Sequence, residues 1–164
     1  MKCSTKSTAP RLRGAVEVFL SLGGNVGDVT ATMKRAEEEI RALPVHDLRF
    51  SRLYRTSPVS DIPQADYINC ACQFYTDLPA TELLEKLQEI ERKLGKVPKP
   101  KNAPRPIDID ILFYGNEIIH TATLDIPHPQ WQERLFVLVP LSDLVDIIGS
   151  IDIKKRIQEL REKL

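Results

Sequence analysis

The 164-residue sequence has no surplus of either charge, with 23 Lys and Arg against 23 Asp and Glu. A neutral total argues against a dedicated nucleic-acid binder, whose electrostatic footprint is basic. No apolar run approaches the ~18–20 residues that a membrane span requires. Cysteine is scarce, at three residues. An odd count in a chain long enough to build its own core does not make a disulfide framework, so a reducing cytoplasm is expected. There is no Gly-x-x-x-x-Gly-Lys-Ser/Thr phosphate loop, no internal repeat and no low-complexity segment. What remains is 42% hydrophobic and 28% charged, the composition of one ordinary globular domain of about 100–150 residues.

The charge is unevenly spread. Residues 1–14 carry Lys2, Lys6, Arg11 and Arg13 and no acid, which reads as a flexible basic tail ahead of a single domain over 15–164. Residues 92–105 hold Arg92, Lys93, Lys96, Lys99, Lys101 and Arg105, again without an acid. Pro98, Pro100 and Pro104 keep most of that segment out of helix and sheet. It is either a solvated basic loop or an anion clamp.

Periodicity gives the elements. Val16–Leu22 alternates and reads as a strand, broken by Gly23-Gly24-Asn25. Val29, Met33, Ala36, Ile40 and Leu43 recur at helical spacing, up to Pro44. In the turn between them, Asn25 or Asp28 is expected to cap the helix. Residues 45–55 suggest a strand, and Tyr67–Thr76 another. Leu83, Leu84, Leu87, Ile90 and Leu94 form one helical stripe after Pro79, closed by Gly95. Ile107–Tyr114 is a strand, Gly115-Asn116 a turn, and Glu117–Ile119 a short returning edge strand. Residues 136–145 and 152–164 look helical. The order β-α-β-β-α-β followed by a helical extension predicts an α+β, ferredoxin-like fold. Its sheet is antiparallel and helices cover one face.

Chemistry gathers on one strand. In IDIDIL, Asp108 and Asp110 share a face while Ile107, Ile109 and Ile111 point into the core. Two adjacent carboxylates repel unless a cation lies between them. Hard oxygen ligands suit Mg²⁺, which binds through one or two carboxylates plus substrate phosphates. An acid pair beside six cations is the layout expected around a polyphosphate, although Asp-x-Asp on an exposed strand can also be a polar face without function. Cys70 and Cys72 read as core thiols. His128, between Pro127 and Pro129, is either a phosphate or nucleotide contact or a structural residue.

The stretches LSLGGNVGD (20–28), YRTSPVS (54–60), DYINCA (66–71), PRPIDIDILFYG (104–115) and IPHPQWQERLFVLVPL (126–141) occur in this order. Together they closely resemble the 6-hydroxymethyl-7,8-dihydropterin pyrophosphokinase family over residues 16–150. The resemblance implies transfer of the β,γ-diphosphoryl unit of ATP to the hydroxymethyl group of a pterin, with release of AMP, in folate biosynthesis. It implies that Asp108 and Asp110 hold two Mg²⁺ ions, and that Tyr67 and Phe136 stack on the pterin. Asn69 and Thr56 would read its hydrogen-bonding edge, with Ser57 and Val59 lining the pocket. Gln88, Glu91, Ile111 and His128 would lie along ATP, with Arg105, Arg134, Lys96 and Lys99 on its phosphates. Arg105 and Lys96 join the aspartates as the catalytic group. The partners implied are ATP and the pterin alone, with no nucleic acid and no membrane, for a cytoplasmic monomer.

Two departures stand out. Many family members have Arg-Trp-Gly where this chain has Lys101-Asn102-Ala103, in a loop one residue shorter. Lys96 stands where Arg is common, and Lys meets phosphate as a point charge without the fork of Arg. The alternatives are a degenerate pterin- or nucleotide-binding member without turnover, or a ferredoxin-like ligand- or RNA-binding module.

Overall fold

A computed structural model describes residues 14–57, 63–98 and 104–164. Nine strands and four α-helices follow in chain order: β1 (Val16–Gly24), α1 (Val29–Arg41), β2 (Val45–Phe50), β3 (Tyr54–Thr56), β4 (Tyr67–Thr76), α2 (Ala80–Lys93), β5 (Asp108–Tyr114), β6 (Ile119–His120), β7 (Asp125–Ile126), α3 (Leu135–Leu141), β8 (Ile147–Ile148), β9 (Ile151–Asp152) and α4 (Ile153–Arg161). A 3-10 turn at Trp131–Glu133 precedes α3.

The main sheet runs β2-β4-β1-β5, with β3 also pairing β4, and every pairing is antiparallel. Counting β2 and β3 as one broken strand, this is the ferredoxin-like order the sequence predicts. The region expected as a single strand over 45–55 is interrupted at residues 51–53. There Ser51 Oγ accepts from Ala71 N–H at 2.8 Å, and Ser51 N–H donates to Ala71 C=O at 2.9 Å.

One face of the sheet packs on α1 and α2. Alternation sends Val18, Leu20 and Leu22 of β1, and Cys70, Cys72 and Phe74 of β4, into this core with Ile109 and Ile111 of β5. They meet Met33, Ala36 and Ile40 of α1 and Leu83, Leu87 and Ile90 of α2. Each fully buried Leu, Ile or Phe contributes roughly 1.5–3 kcal/mol relative to exposure. Asp28, not Asn25, caps α1, its carboxylate accepting from Ala31 N–H at 3.1 Å.

The C-terminal helical extension covers the opposite face. Phe19, Leu112, Phe113, Trp131, Val137, Leu138, Leu141, Ile153 and Ile157 form a second core there. A bulge in β5 makes this possible. The register passes from Phe19↔Phe113 to Leu20↔Ile111, so Leu112 is the extra residue, and Leu112 and Phe113 both turn to the second core. The Phe113 ring then meets Trp131 edge-on at 4.8 Å and Phe19 at 6.1 Å.

The expected edge strand after Gly115-Asn116 does not return along β5. Ile119–His120 pairs instead with Asp125–Ile126 in a separate two-stranded sheet. The outer side of β5 is engaged elsewhere: His128 N–H donates to Leu112 C=O at 3.0 Å. Among the described residues, no helix is long and apolar enough to cross a membrane.

Candidate active site

Directly paired residues of an antiparallel sheet share a face. Gly23 of β1 lies opposite Asn69 of β4 on one side and Asp108 of β5 on the other. Ser21 lies likewise between Ala71 and Asp110. Two parallel rows, Asn69–Gly23–Asp108 and Ala71–Ser21–Asp110, thus cross three strands on the face of the second core. Gly23 leaves room in its row for the Asn69 amide. A Cβ there would stand 2.4 Å from Asn69 Oδ1, well inside contact distance. Asn69 is buried, and its Nδ2 donates to Thr56 Oγ1 at 2.7 Å, which ties β4 to the end of β3.

Asp108 gathers positive charge. Lys96 Nζ donates to its Oδ1 at 2.6 Å, and Arg105 Nε approaches its Oδ2 at 3.5 Å. Lys96 also reaches Glu91 Oε2 at 3.2 Å. Partial burial works against the Lys96 charge, but contact with Asp108 and Glu91 outweighs it, and its pKa is raised. Glu91 is buried in the last turns of α2 and accepts from Ile109 N–H at 2.6 Å, which locks α2 to β5. Burial raises its pKa, against the opposing Ile109 N–H and Lys96.

Asp110 keeps solvent access to its side chain, yet it stands in a cleft of about 260 Å³ with His128, Leu84, Ile111 and Thr123 on the walls. The surrounding protein partly desolvates the carboxylate, and Asp108 adds its charge, so the Asp110 pKa is raised. His128, Lys96 and Arg134 oppose the rise. The His128 pKa is lowered by burial, with Asp110 pulling the other way. The half-buried Tyr67 hydroxyl is pushed up by burial and then by the charge of Asp108, with Arg105 opposing.

A larger cavity, about 630 Å³, lies between β3, α3 and α4 and is lined by Arg52, Tyr54, Ser142 and Arg161 among others. It contains neither aspartate. Charge and geometry, rather than volume, make the end of β5 the candidate site.

Residues 19–146 match the family described as 7,8-dihydro-6-hydroxymethylpterin-pyrophosphokinase (HPPK). The 2-amino-4-hydroxy-6-hydroxymethyldihydropteridine pyrophosphokinase of Bacillus subtilis is 38% identical over 127 residues, covering 77% of this chain and 76% of that protein. The chain belongs to the 7,8-dihydro-6-hydroxymethylpterin-pyrophosphokinase family. The mitochondrial folate synthesis bifunctional protein of Pisum sativum is 40% identical over 129 residues, covering 79% of this chain and 25% of that one. The chain likewise spans 19% and 17% of the folic acid synthesis proteins of Dictyostelium discoideum and Pneumocystis carinii. In fold it resembles the wild-type HPPK-DHPS protein of Plasmodium falciparum solved with pteroate. The TM-score is 0.72 at 13% identity, over 94% of this chain and 44% of that one.

The pyrophosphokinase fold brings most of the sequence-predicted residues to one end of the sheet. Asp108, Asp110, Lys96, Arg105, Glu91 and Ile111 lie on or beside β5. Thr56, Tyr67 and Asn69 lie where β3 meets β4. The Arg134 guanidinium stands 5.4 Å from the Phe136 ring centre at the start of α3 and is also bonded to Gln130. Gln88 is on the exposed side of α2, and Ser57 is exposed. Val59, Lys99 and Lys101-Asn102-Ala103 fall outside the described residues. Sequence reasoning missed Asn25 and the small floor residues Ser21 and Gly23. A polar Asn directly after two glycines was the available signal.

The residues present fit Mg²⁺. Asp108 and Asp110 offer hard oxygen donors only, and Asp108 already holds two cationic groups. Among the described residues, no group of three or more His, Cys, Asp or Glu could hold a metal ion. Two carboxylates would leave the remaining positions to water and phosphate oxygens, the arrangement Mg²⁺ favours.

Proposed function

We propose that this chain transfers the diphosphoryl unit of ATP to the hydroxymethyl oxygen of 6-hydroxymethyl-7,8-dihydropterin, releasing AMP, in folate biosynthesis. The observation that carries this reading is the row Asn69–Gly23–Asp108. An amide able both to donate and to accept stands two strand spacings, about 10 Å, from an acid that handles cations. That separation is comparable to the long axis of a bicyclic ring bearing a hydroxymethyl arm. A pterin could present its polar edge to Asn69 and Thr56 while its hydroxyl lies at Asp108.

In this reading Tyr67 and Phe136 supply the aromatic walls, and Ser57 and Val59 the rim. Gln88, Glu91, Ile111 and His128 run along the nucleotide. Lys96, Lys99, Arg105 and Arg134 neutralise its phosphates, where positioning and charge matter more than covalent catalysis. Asp108 and Asp110 would hold two Mg²⁺ ions, which supply charge neutralisation on the phosphate oxygens and acidify the substrate hydroxyl. The hydroxymethyl oxygen bonds to the β-phosphorus as the bond from that phosphorus to the AMP oxygen breaks, and the hydroxyl proton leaves to solvent.

The test supplies ATP, Mg²⁺ and 6-hydroxymethyl-7,8-dihydropterin and follows AMP and the pterin diphosphate by chromatography. Binding of both substrates without AMP would make the chain a non-catalytic relative. ADP in place of AMP would overturn the reaction class.

A further inference from the structure

Asn25 does not cap α1, although it stands in the turn that leads to it. It is buried and uses its whole amide on other parts of the chain. Its Oδ1 accepts from Arg105 N–H at 2.9 Å, and its own N–H donates to Arg105 C=O at 2.8 Å. Its Nδ2 donates to Gln64 Oε1 at 2.6 Å and to Ala65 C=O at 2.9 Å. The neighbouring Gly24 lets the Arg105–Pro106 segment close in on β1, since a Cβ there would stand 2.2 Å from the Pro106 carbonyl oxygen.

The two segments held this way serve opposite halves of the site. Arg105 carries the guanidinium that approaches Asp108. Ala65 precedes Tyr67 by two residues and leads directly into β4. We infer that Asn25 is a positioning residue that fixes Arg105, on the phosphate side, relative to the segment that delivers Tyr67, on the pterin side. This rests on the diphosphoryl transfer proposed above. An amide is the side chain suited to the task, because it alone offers an acceptor to Arg105 and two donors to the other segment within one planar group. Near-attack geometry is sensitive to displacements of about 1 Å, which can cost roughly 100-fold in rate.

The experiment compares Asn25→Ala, Asn25→Asp, Arg105→Ala and the double variant Asn25→Ala/Arg105→Ala. It reads steady-state kinetics, circular dichroism and amide hydrogen exchange. Asn25→Ala should lower kcat at least tenfold, and the double variant should be no slower than Arg105→Ala alone. Asn25→Asp keeps the acceptor for Arg105 but sets an oxygen against Ala65 C=O. It should retain most of kcat and raise KM for the pterin. The Arg105 amide should exchange at least tenfold faster in Asn25→Ala than in the parent, and near the parent rate in Asn25→Asp. A parent-like kcat in Asn25→Ala, losses that multiply in the double variant, or identical kinetics for the Ala and Asp variants would overturn the inference. If Asn25→Ala does not fold, the Asp variant still decides, through its split between kcat and KM. If the parent itself makes no AMP, the functional reading fails. The exchange comparison then judges Asn25 alone, with equal Arg105 exchange in parent and variants refuting it.

Discussion

Lys96 Nζ sits 2.6 Å from Asp108 Oδ1 and 3.2 Å from Glu91 Oε2, so a flexible cation bridges the acid of β5 to the buried acid of α2. The same Asp108 is the proposed metal ligand. The Lys96 ammonium thus offsets part of the negative charge on which a divalent ion would draw. An ion held by Asp108 would compete with Lys96, whose ammonium Glu91 or the nucleotide phosphates would then hold. Removal of the ammonium should make the carboxylate pair more attractive to a cation. Lys96→Met is expected to bind Mn²⁺ several-fold more tightly than the parent in the absence of nucleotide, read by electron paramagnetic resonance. It should bind ATP more weakly. Unchanged Mn²⁺ affinity would show that Lys96 does not guard Asp108.

Neither Asp108 nor Asp110 belongs to either hydrophobic core, so their loss should leave the fold standing. Asp108→Ala and Asp110→Ala are each expected to lower kcat by roughly 100–1,000-fold, the range seen when a preorganised charge-stabilising group is removed. Thermal melting should stay near that of the parent. A variant that keeps substantial turnover at saturating Mg²⁺ would remove that aspartate from the proposed centre.

Gly23 tests the pterin half of the site, because the atoms a Cβ there would meet belong to Asn69 and Ile68. In Gly23→Ala the new Cβ collides with Asn69 Oδ1, so the amide must turn out of its place. Pterin binding should fall with little change in ATP binding, as measured by calorimetric titration. Tyr67→Ala should also weaken the pterin, by about 0.5–1.5 kcal/mol beyond its lost contact area if it stacks. Tyr67→Phe should be nearly silent. Equal affinity in Gly23→Ala and the parent would separate Asn69 from the pterin edge.

Away from the site, Asp143 joins the broken β2–β3 strand to the end of α3. Its carboxylate accepts from Tyr54 Oη at 2.9 Å and from Arg52 N–H at 3.0 Å. Partial burial opposes its ionisation, but the hydrogen bonds from Arg52 and Tyr54 prevail, and its pKa is lowered. A carboxyl whose folded pKa is depressed contributes stability above its unfolded value, near pH 4, and loses it as pH falls through the folded value. Asp143→Asn should therefore be less stable than the parent at pH 7, with the gap narrowing below about pH 4. Tyr54→Phe should cost about 1 kcal/mol at pH 7, as for one ordinary hydrogen bond. Urea melts across that range check both, and a gap that widens in acid contradicts the assignment.

Much of this was legible in the chain itself. Alternation in IDIDIL placed Asp108 and Asp110 together, because a strand repeats every two residues whatever surrounds it. The stripe from Leu83 to Leu94 gave α2 in the same local way. The broken strand at 51–53 was not legible, since its cause is the Ser51–Ala71 bonding with a strand twenty residues on. Nor was the separate β6–β7 hairpin, because the outer side of β5 is engaged by a backbone group from the His128 loop.

Most helices and the long strands, the side chains that share a face on them and, through five ordered motifs, the family can be read from the chain alone. Each is written in short-range spacing or in residue identity. Tertiary structure alone decided who meets whom. Asn25 reaches Arg105 across 80 residues and Gln64 across 39, and turn chemistry suggested a helix cap in its place. Lys96 chose Asp108 from among the nearby groups, and Gly23 became the gap that admits Asn69. These contacts depend on strand order and register, which the burial of two opposite cores fixes only after the whole sheet has assembled.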